Sequence, residues 1–398
     1  MTSPSQRSGA YPPPSQPKQC RSILRGVALG PITAVAFLAI LSFVLSACQS
    51  PLQTAANASS IAADAVGQAQ SSQAISSAKQ ICTFTTAIEN RQFHSRIGTT
   101  NMLLGPELSW STQGQLAASG SKTLQFASAT NCQMAASAQA QTMHSVSWSP
   151  DGSKLAMLGN QALDVVDHQG HTLLHRTFAQ LQATIVDDVF WTSDNNKIIF
   201  TSDNTSIPNK FNSSIKSINV PDGSNLTMLW ALPTNNLPFV LSADNQTVGV
   251  YSIDPATKKP SFAIWNLNTK KQVSKLSSFS GGPALSPDGS LLALDQTNQI
   301  EFYSTADGKP VGSVNADKRT ANTILAWSPD GKYIARNTGA ITIYDVQAKK
   351  EVAKFGQVDA QHAITTLAWS PDSKGLVSAS GPSNSTSPQA TVQVWALN

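Results

Sequence analysis

From residue 81 onward, short apolar runs are separated by short polar turns, and one arrangement of runs and turns recurs. An apolar run such as Ile324-Leu325-Ala326-Trp327 leads into Ser328-Pro329-Asp330-Gly331. Pro is pre-set for the second position of a type I turn and Gly is tolerated at the fourth, which predicts a tight hairpin. A second run follows, as in Leu155-Ala156-Met157-Leu158, Leu291-Leu292-Ala293-Leu294 and Tyr333-Ile334-Ala335-Arg336. A third run alternates in character, as in Leu163-Asp164-Val165-Val166, Ile300-Glu301-Phe302-Tyr303, Ile341-Thr342-Ile343-Tyr344 and Val392-Gln393-Val394-Trp395. A polar turn and a weaker fourth run (Glu351-Val352-Ala353-Lys354-Phe355) complete the unit. Their lengths and period-two alternation predict strands.

The unit is repeated seven times. Trp148-Ser149-Pro150-Asp151-Gly152 returns at 285–289, 327–331 and 369–373, with degenerate copies at 110–114, 191–195 and 241–245. Successive copies lie 38 to 50 residues apart. Four antiparallel strands per 40–45 residues is the signature of a β-propeller blade. The expected fold is therefore all-β, a seven-bladed propeller over residues 81–398. On the Trp-Ser-Pro-Asp-Gly phrase the chain resembles the WD-repeat propellers and, more loosely, the periplasmic propellers of the Tol system. It departs from the full WD repeat: no Gly-His pair precedes the first strand, and the closing Trp-Asp survives only as Trp265-Asn266, Tyr344-Asp345 and Trp395-Ala396. The chain ends after the third strand of the seventh repeat, so the missing outer strand is assigned to residues 81–88 (ICTFTTAI), rich in β-branched residues.

The N-terminal part reads differently. Residues 1–25 are a polar tail with four cations, and Gly26–Ala47 is a run of 22 residues without charge, the pattern of a signal sequence or an N-in membrane anchor. Leu45-Ser46-Ala47-Cys48 resembles the lipobox of bacterial lipoproteins, which implies cleavage before Cys48 and lipid on that cysteine. The alternative is an uncleaved helix, long enough for a bilayer of about 30 Å. Residues 48–80 form an Ala/Ser/Gln-rich tether. Either anchor places the propeller on the extracytoplasmic side of the cell membrane, and a monomer is expected.

Charge and chemistry refine this picture. The formal net charge of +4 comes from Arg7, Lys18, Arg21 and Arg25, leaving a neutral body without the basic stripe that nucleic-acid binding needs. The partner expected is a protein or an envelope polymer. Cys82 and Cys132 are either a disulfide, which an oxidising compartment invites, or two separate thiols. Five tryptophans (Trp110, Trp148, Trp191, Trp327, Trp369) share one repeat position, which suits packing between blades. The Asp of each phrase is not the Asp-box of sialidase-like propellers, where Gly stands two positions after Asp; it is expected to bond its own turn. His171 and His175, placed on one strand, would lie about 13 Å apart, too far to share an ion, and His94, His144 and His362 fall in other repeats. Asp187 and Asp188, read as preceding the first strand of blade 3, and Glu107, before that of blade 1, could approach the channel. No aligned base accompanies them, so no catalytic residue, cofactor or metal is assigned; a hydrolase or lactonase using channel carboxylates and a metal is the rival reading.

Long links between second and third strands are expected at Thr201–Ser214, Asp254–Pro260 and Ser380–Ala390. They share a face with the fourth-to-first connections, taken as Pro221–Leu237 and Asn315–Asn322. That face is the candidate binding face, with Lys210, Phe211, Lys258, Lys259, Lys318 and Arg319 as its contact residues.

Overall fold

A computed structural model describes residues 74–398 less 88–89, 96–97, 104–106, 121–122, 140–142, 160, 204–212, 234–235, 243, 254–259, 277–282, 319–322, 360 and 383–388. Among the described residues every regular element is a strand. Twenty-eight of the thirty strands form seven antiparallel four-stranded sheets. Blade 1 spans Leu108–Gln139, blade 2 Met143–Thr177, blade 3 Ile185–Ala231, blade 4 Asn236–Leu276, blade 5 Pro283–Asn315 and blade 6 Leu325–Phe355. Blade 7 takes its first three strands from His362–Trp369, Gly375–Pro382 and Gln389–Leu397 and its outer strand from Ala78–Ala87, which pairs with Gln389–Leu397 from Ala78↔Leu397 to Ala87↔Gln389.

The recurring phrase folds as a type I turn closed by a residue with positive φ. Gly152 N–H donates to Ser149 O at 2.8 Å, and Ser149 N–H to Lys154 O at 2.7 Å. The fourth turn position, the last of the phrase, has positive φ in all seven copies: Gly114, Gly152, Asn195, Asn245, Gly289, Gly331 and Ser373. Gly is the residue that takes this conformation without strain; Asn and Ser take it here with a bond in return. Asn195 Oδ1 accepts from Asp151 N–H at 3.0 Å, Ser373 Oγ from Asp330 N–H at 3.0 Å, and Asn245 Nδ2 donates to Trp191 O at 3.1 Å. Each of these partners lies in the preceding blade.

Within the turn, the phrase hydroxyl donates to the Asp carboxylate: Ser149–Asp151, Ser286–Asp288 and Ser328–Asp330 at 2.6 Å, Ser242–Asp244 and Ser370–Asp372 at 2.5 Å, with Thr192–Asp194 at 2.6 Å replacing Ser. The same hydroxyl accepts from the N–H five residues on, as in Lys154 to Ser149 at 3.0 Å. The phrase carboxylate thus serves its own hairpin.

The phrase tryptophans fasten neighbouring blades. Trp191 Nε1–H donates to Ser147 O at 2.8 Å, Trp327 to Ala284 O at 3.0 Å and Trp369 to Ala326 O at 2.9 Å, each carbonyl standing in the first strand of the preceding blade. Phe126 packs on Trp148 and Phe302 on Trp327, with ring centroids 5.8 and 6.0 Å apart. The core accordingly consists of clusters between consecutive blades, such as Leu163, Val165, Ile198, Phe200 and Ile218 between blades 2 and 3.

Two of the expected boundaries are corrected. The stretch Pro221–Leu237 is not a fourth-to-first connection: Thr227–Ala231 within it is the outer strand of blade 3 and Asn236–Leu241 begins blade 4. Asp187 and Asp188 do not precede the first strand of blade 3; both lie inside Ile185–Trp191, where the register shifts between Val186 and Val189.

A candidate interaction face

Antiparallel order within each blade puts first-to-second and third-to-fourth links on one face and second-to-third and fourth-to-first links on the other. The first face is made of short turns. The second is the side of the second-to-third links, of which the stretches 204–212, 254–259 and 383–388 between the flanking strands lie outside the described residues. It also carries a hairpin that the sequence reading missed. Asn90–Ser95 pairs with Gly98–Leu103 in the connection from the outer strand of blade 7 to the first strand of blade 1. Its only sequence signal was Gly98 beside a weakly alternating run.

Of the expected contact residues, Lys318 is exposed on the connection from blade 5 to blade 6. Lys210, Phe211, Lys258, Lys259 and Arg319 lie outside the described residues, as does Cys48.

The connection that carries Lys318 is fixed from below. Arg336, fully buried in the second strand of blade 6, donates through Nη1 to Asp317 O at 2.7 Å and through Nε to Asp295 Oδ1 of blade 5 at 2.8 Å. Lys354 Nζ reaches Asp317 Oδ2 at 2.6 Å, and that bond holds its ammonium above the ordinary lysine range. A second buried cation does the same between blades 2 and 3. Lys216 Nζ donates to Leu181 O at 3.0 Å and Gln182 O at 2.6 Å in the fourth-to-first connection. Burial pushes its pKa down. The sequence signal for Arg336 was present and unused: a cation where blades 2 and 5 carry Met157 and Leu294.

The remaining candidates are dispersed. Glu107 N–H donates to Ser119 Oγ at 3.0 Å in blade 1. Asp188 lies two blades away, on a narrow apolar cleft between blades 3 and 4 lined by Phe190, Ile199, Thr201, Ile215, Val240, Leu241 and Val248. That cleft sits where Leu241 replaces the phrase tryptophan. His171 lies in the turn before Thr172–Thr177, not on that strand with His175. Its Nδ1 is 2.9 Å from Asp167 Oδ2, while His175 Nδ1 is 2.6 Å from Asp164 Oδ1, so each ring has its own carboxylate. His362 Nδ1 meets Asp359 at 2.7 Å. The strands Asn90–Ser95 and Met143–Trp148 contain His94 and His144. Among the described residues no group of three or more His, Cys, Asp or Glu could hold a metal ion.

Cys82, in the outer strand of blade 7, and Cys132, in the third-to-fourth link of blade 1, form a disulfide with Cα atoms 5.7 Å apart.

Comparison with known proteins agrees with this architecture. Residues 291–398, covering most of blades 5 to 7, match the family model described as eukaryotic translation initiation factor eIF2A. A chain in a structure titled "Crystal Structure of Mitotic Checkpoint Complex" superposes with a TM-score of 0.57 at 17% identity, covering 83% of this chain and 95% of that one. No curated protein matches the sequence. As many as 1210 solved chains resemble the fold, so the likeness identifies an architecture and selects no activity.

Proposed function

We propose that the protein is a membrane-tethered, extracytoplasmic propeller that binds a protein or envelope-polymer partner on its link-bearing face. The observation that carries this reading is the asymmetry between the two faces. One is reduced to short links, the seven phrase turns and the third-to-fourth links; the other is the side of the longest second-to-third links and carries the Asn90–Leu103 hairpin. A rigid scaffold presenting its variable segments on one side is how repeat proteins build binding surfaces. Buried Arg336 supports it by holding the Lys318 connection in place, and the membership of a propeller in the mitotic checkpoint complex illustrates this fold within an assembly. The N-terminal apolar run supports the tether, and the Cys82–Cys132 disulfide suits an oxidising compartment.

The test is crosslinking in intact cells with three forms of the full chain: wild type, a link-face variant (Lys210→Glu, Lys258→Glu, Lys318→Glu, Arg319→Glu) and a turn-face variant (Lys374→Glu). A crosslinked species retained by the turn-face variant and lost by the link-face variant is expected. Loss in the turn-face variant alone would reverse the assignment of faces.

A further inference from the structure

Every outer strand contains a bulge at the same register, where one residue is skipped in the pairing with the third strand. The skipped residues are Ile81, Ala135, Leu173, Leu229, Val273, Val311 and Val352. At three seams the residue after the bulge meets the third-to-fourth link of the next blade, at the link position three residues before that blade's own bulge. Between blades 4 and 5 those two positions are Ser274 and Gly308; between blades 5 and 6 they are Gly312 and Lys349, and both pairs are in close contact. Between blades 7 and 1 the same two positions are Cys82 and Cys132. Like Gly308 and Lys349, Cys132 has positive φ. The disulfide therefore replaces, at one seam only, a contact that is non-covalent at equivalent seams.

The two ends of the propeller chain meet inside blade 7, whose outer strand carries Cys82. Ser76 and Ser77 N–H donate to Asn398 O at 2.7 and 3.0 Å, and Asn398 N–H returns a bond to Ser77 O at 3.0 Å. Ile75, buried, packs with Tyr333 of blade 6. The strand Ala78–Ala87 is the one blade component whose own chain neighbours in the sheet are some three hundred residues away, as in Thr83 Oγ1 to Val392 O. Without a crosslink its release needs no other blade to unfold.

We propose that the Cys82–Cys132 disulfide is a redox latch on ring closure: oxidised, it fastens the closing strand to blade 1; reduced, it leaves Ala78–Ala87 free to detach as a unit and uncovers the edge Gln389–Leu397. The reductant is a dithiol. Its thiolate attacks the half-buried Cys82 sulfur, and the buried Cys132 leaves as thiolate. The second thiol then displaces Cys82 and closes the reductant's own disulfide, so two electrons pass to the protein and both cysteines take up protons. This inference rests on the fold alone and holds whatever partner the link-bearing face binds.

The experiment is hydrogen exchange on the full chain in native buffer, with and without dithiothreitol, and on Cys132→Ser. On reduction, amides of 78–87 and 389–397 are expected to exchange at least about tenfold faster while those of blades 3 to 5 keep their rates. Should Cys132→Ser fail to fold, graded dithiothreitol on the wild type gives the same reading. The latch is overturned if the closing strand exchanges equally in both states, if all blades accelerate together, or if Cys82 and Cys132 titrate as free thiols before any reductant is added.

Discussion

Arg336 and Asp295 illustrate how a single pair can decide a seam. Both are fully buried, and they face each other from the second strands of adjacent blades. Removing one partner of such a pair strands the other charge in a low-dielectric site, which costs about 3–5 kcal/mol, whereas an apolar pair of similar volume is often neutral. Arg336→Met should therefore lower the urea midpoint strongly, and adding Asp295→Leu should recover most of the loss; equal midpoints for wild type and Arg336→Met would contradict it. The phrase carboxylates act through pH instead. Asp194 is held below the usual carboxylate range by the Thr192 hydroxyl and the Asn196 N–H. At Asp151 and Asp288 burial opposes ionisation, yet the Ser149 and Ser286 hydroxyls and nearby N–H bonds outweigh it, and both also sit low. A depressed folded pKa gives stability that is present above the unfolded value of about 4 and disappears as pH falls through the folded value. Thermal midpoints should accordingly fall below pH 4, less steeply in Asp194→Asn than in wild type. The turn bonds were legible because Ser, Asp and Gly recur at fixed offsets. At Arg336 only the cation was visible in the sequence, since its partner Asp295 comes beside it only once the neighbouring blade is in place.

The strands themselves were legible through the seven phrases, each of which marks the first hairpin of a blade. The outer strands were read less well, and in blade 3 Thr227–Ala231 was absorbed into a connection. Outer strands bury one side only, so their apolar pattern is thin. Their bulges are a backbone property with no residue signature beyond an aliphatic tendency at the skipped position. Yet the bulge recurs in all seven blades, and its structural use is evident: an outer strand presents an unpaired edge, and a bulge twists that edge away from flat pairing with another molecule. Val311 is half exposed, so replacing it by Lys should change stability by no more than about 0.5 kcal/mol. Deleting Val311 is a different perturbation, because a one-residue slip sends every following side chain to the opposite face, turning buried Val314 outward. The deletion should destabilise the protein measurably and raise light scattering at equal concentration. If the deletion behaved like Val311→Lys, the bulge would be incidental to the edge.

At the scale of the whole molecule, ring closure and the proposed membrane attachment draw on different parts of the sequence. Closure of the ring is carried by Ala78–Ala87 and the Cys82–Cys132 bond, whereas the proposed attachment to a membrane would depend on residues 26–48, which a stretch of low apolar content separates in sequence from Ile75, the first residue of the propeller core. The two should therefore be separable by mutation. If Cys48 is acylated, the mature chain begins there, incorporates labelled fatty acid and partitions into detergent, since each buried CH₂ contributes about 0.8 kcal/mol. Cys48→Ser should abolish the label and leave the precursor uncleaved, with the thermal midpoint of the propeller unchanged, since Cys48 precedes the first residue of the propeller core, Ile75, by a stretch of low apolar content. An uncleaved helical anchor predicts instead a chain that keeps residues 1–47 in both wild type and Cys48→Ser, with equal membrane retention. Intact mass of the two proteins from membranes separates the models: a wild-type chain still carrying residues 1–47 would sink the lipoprotein reading and leave the extracytoplasmic orientation resting on the cations that precede Gly26.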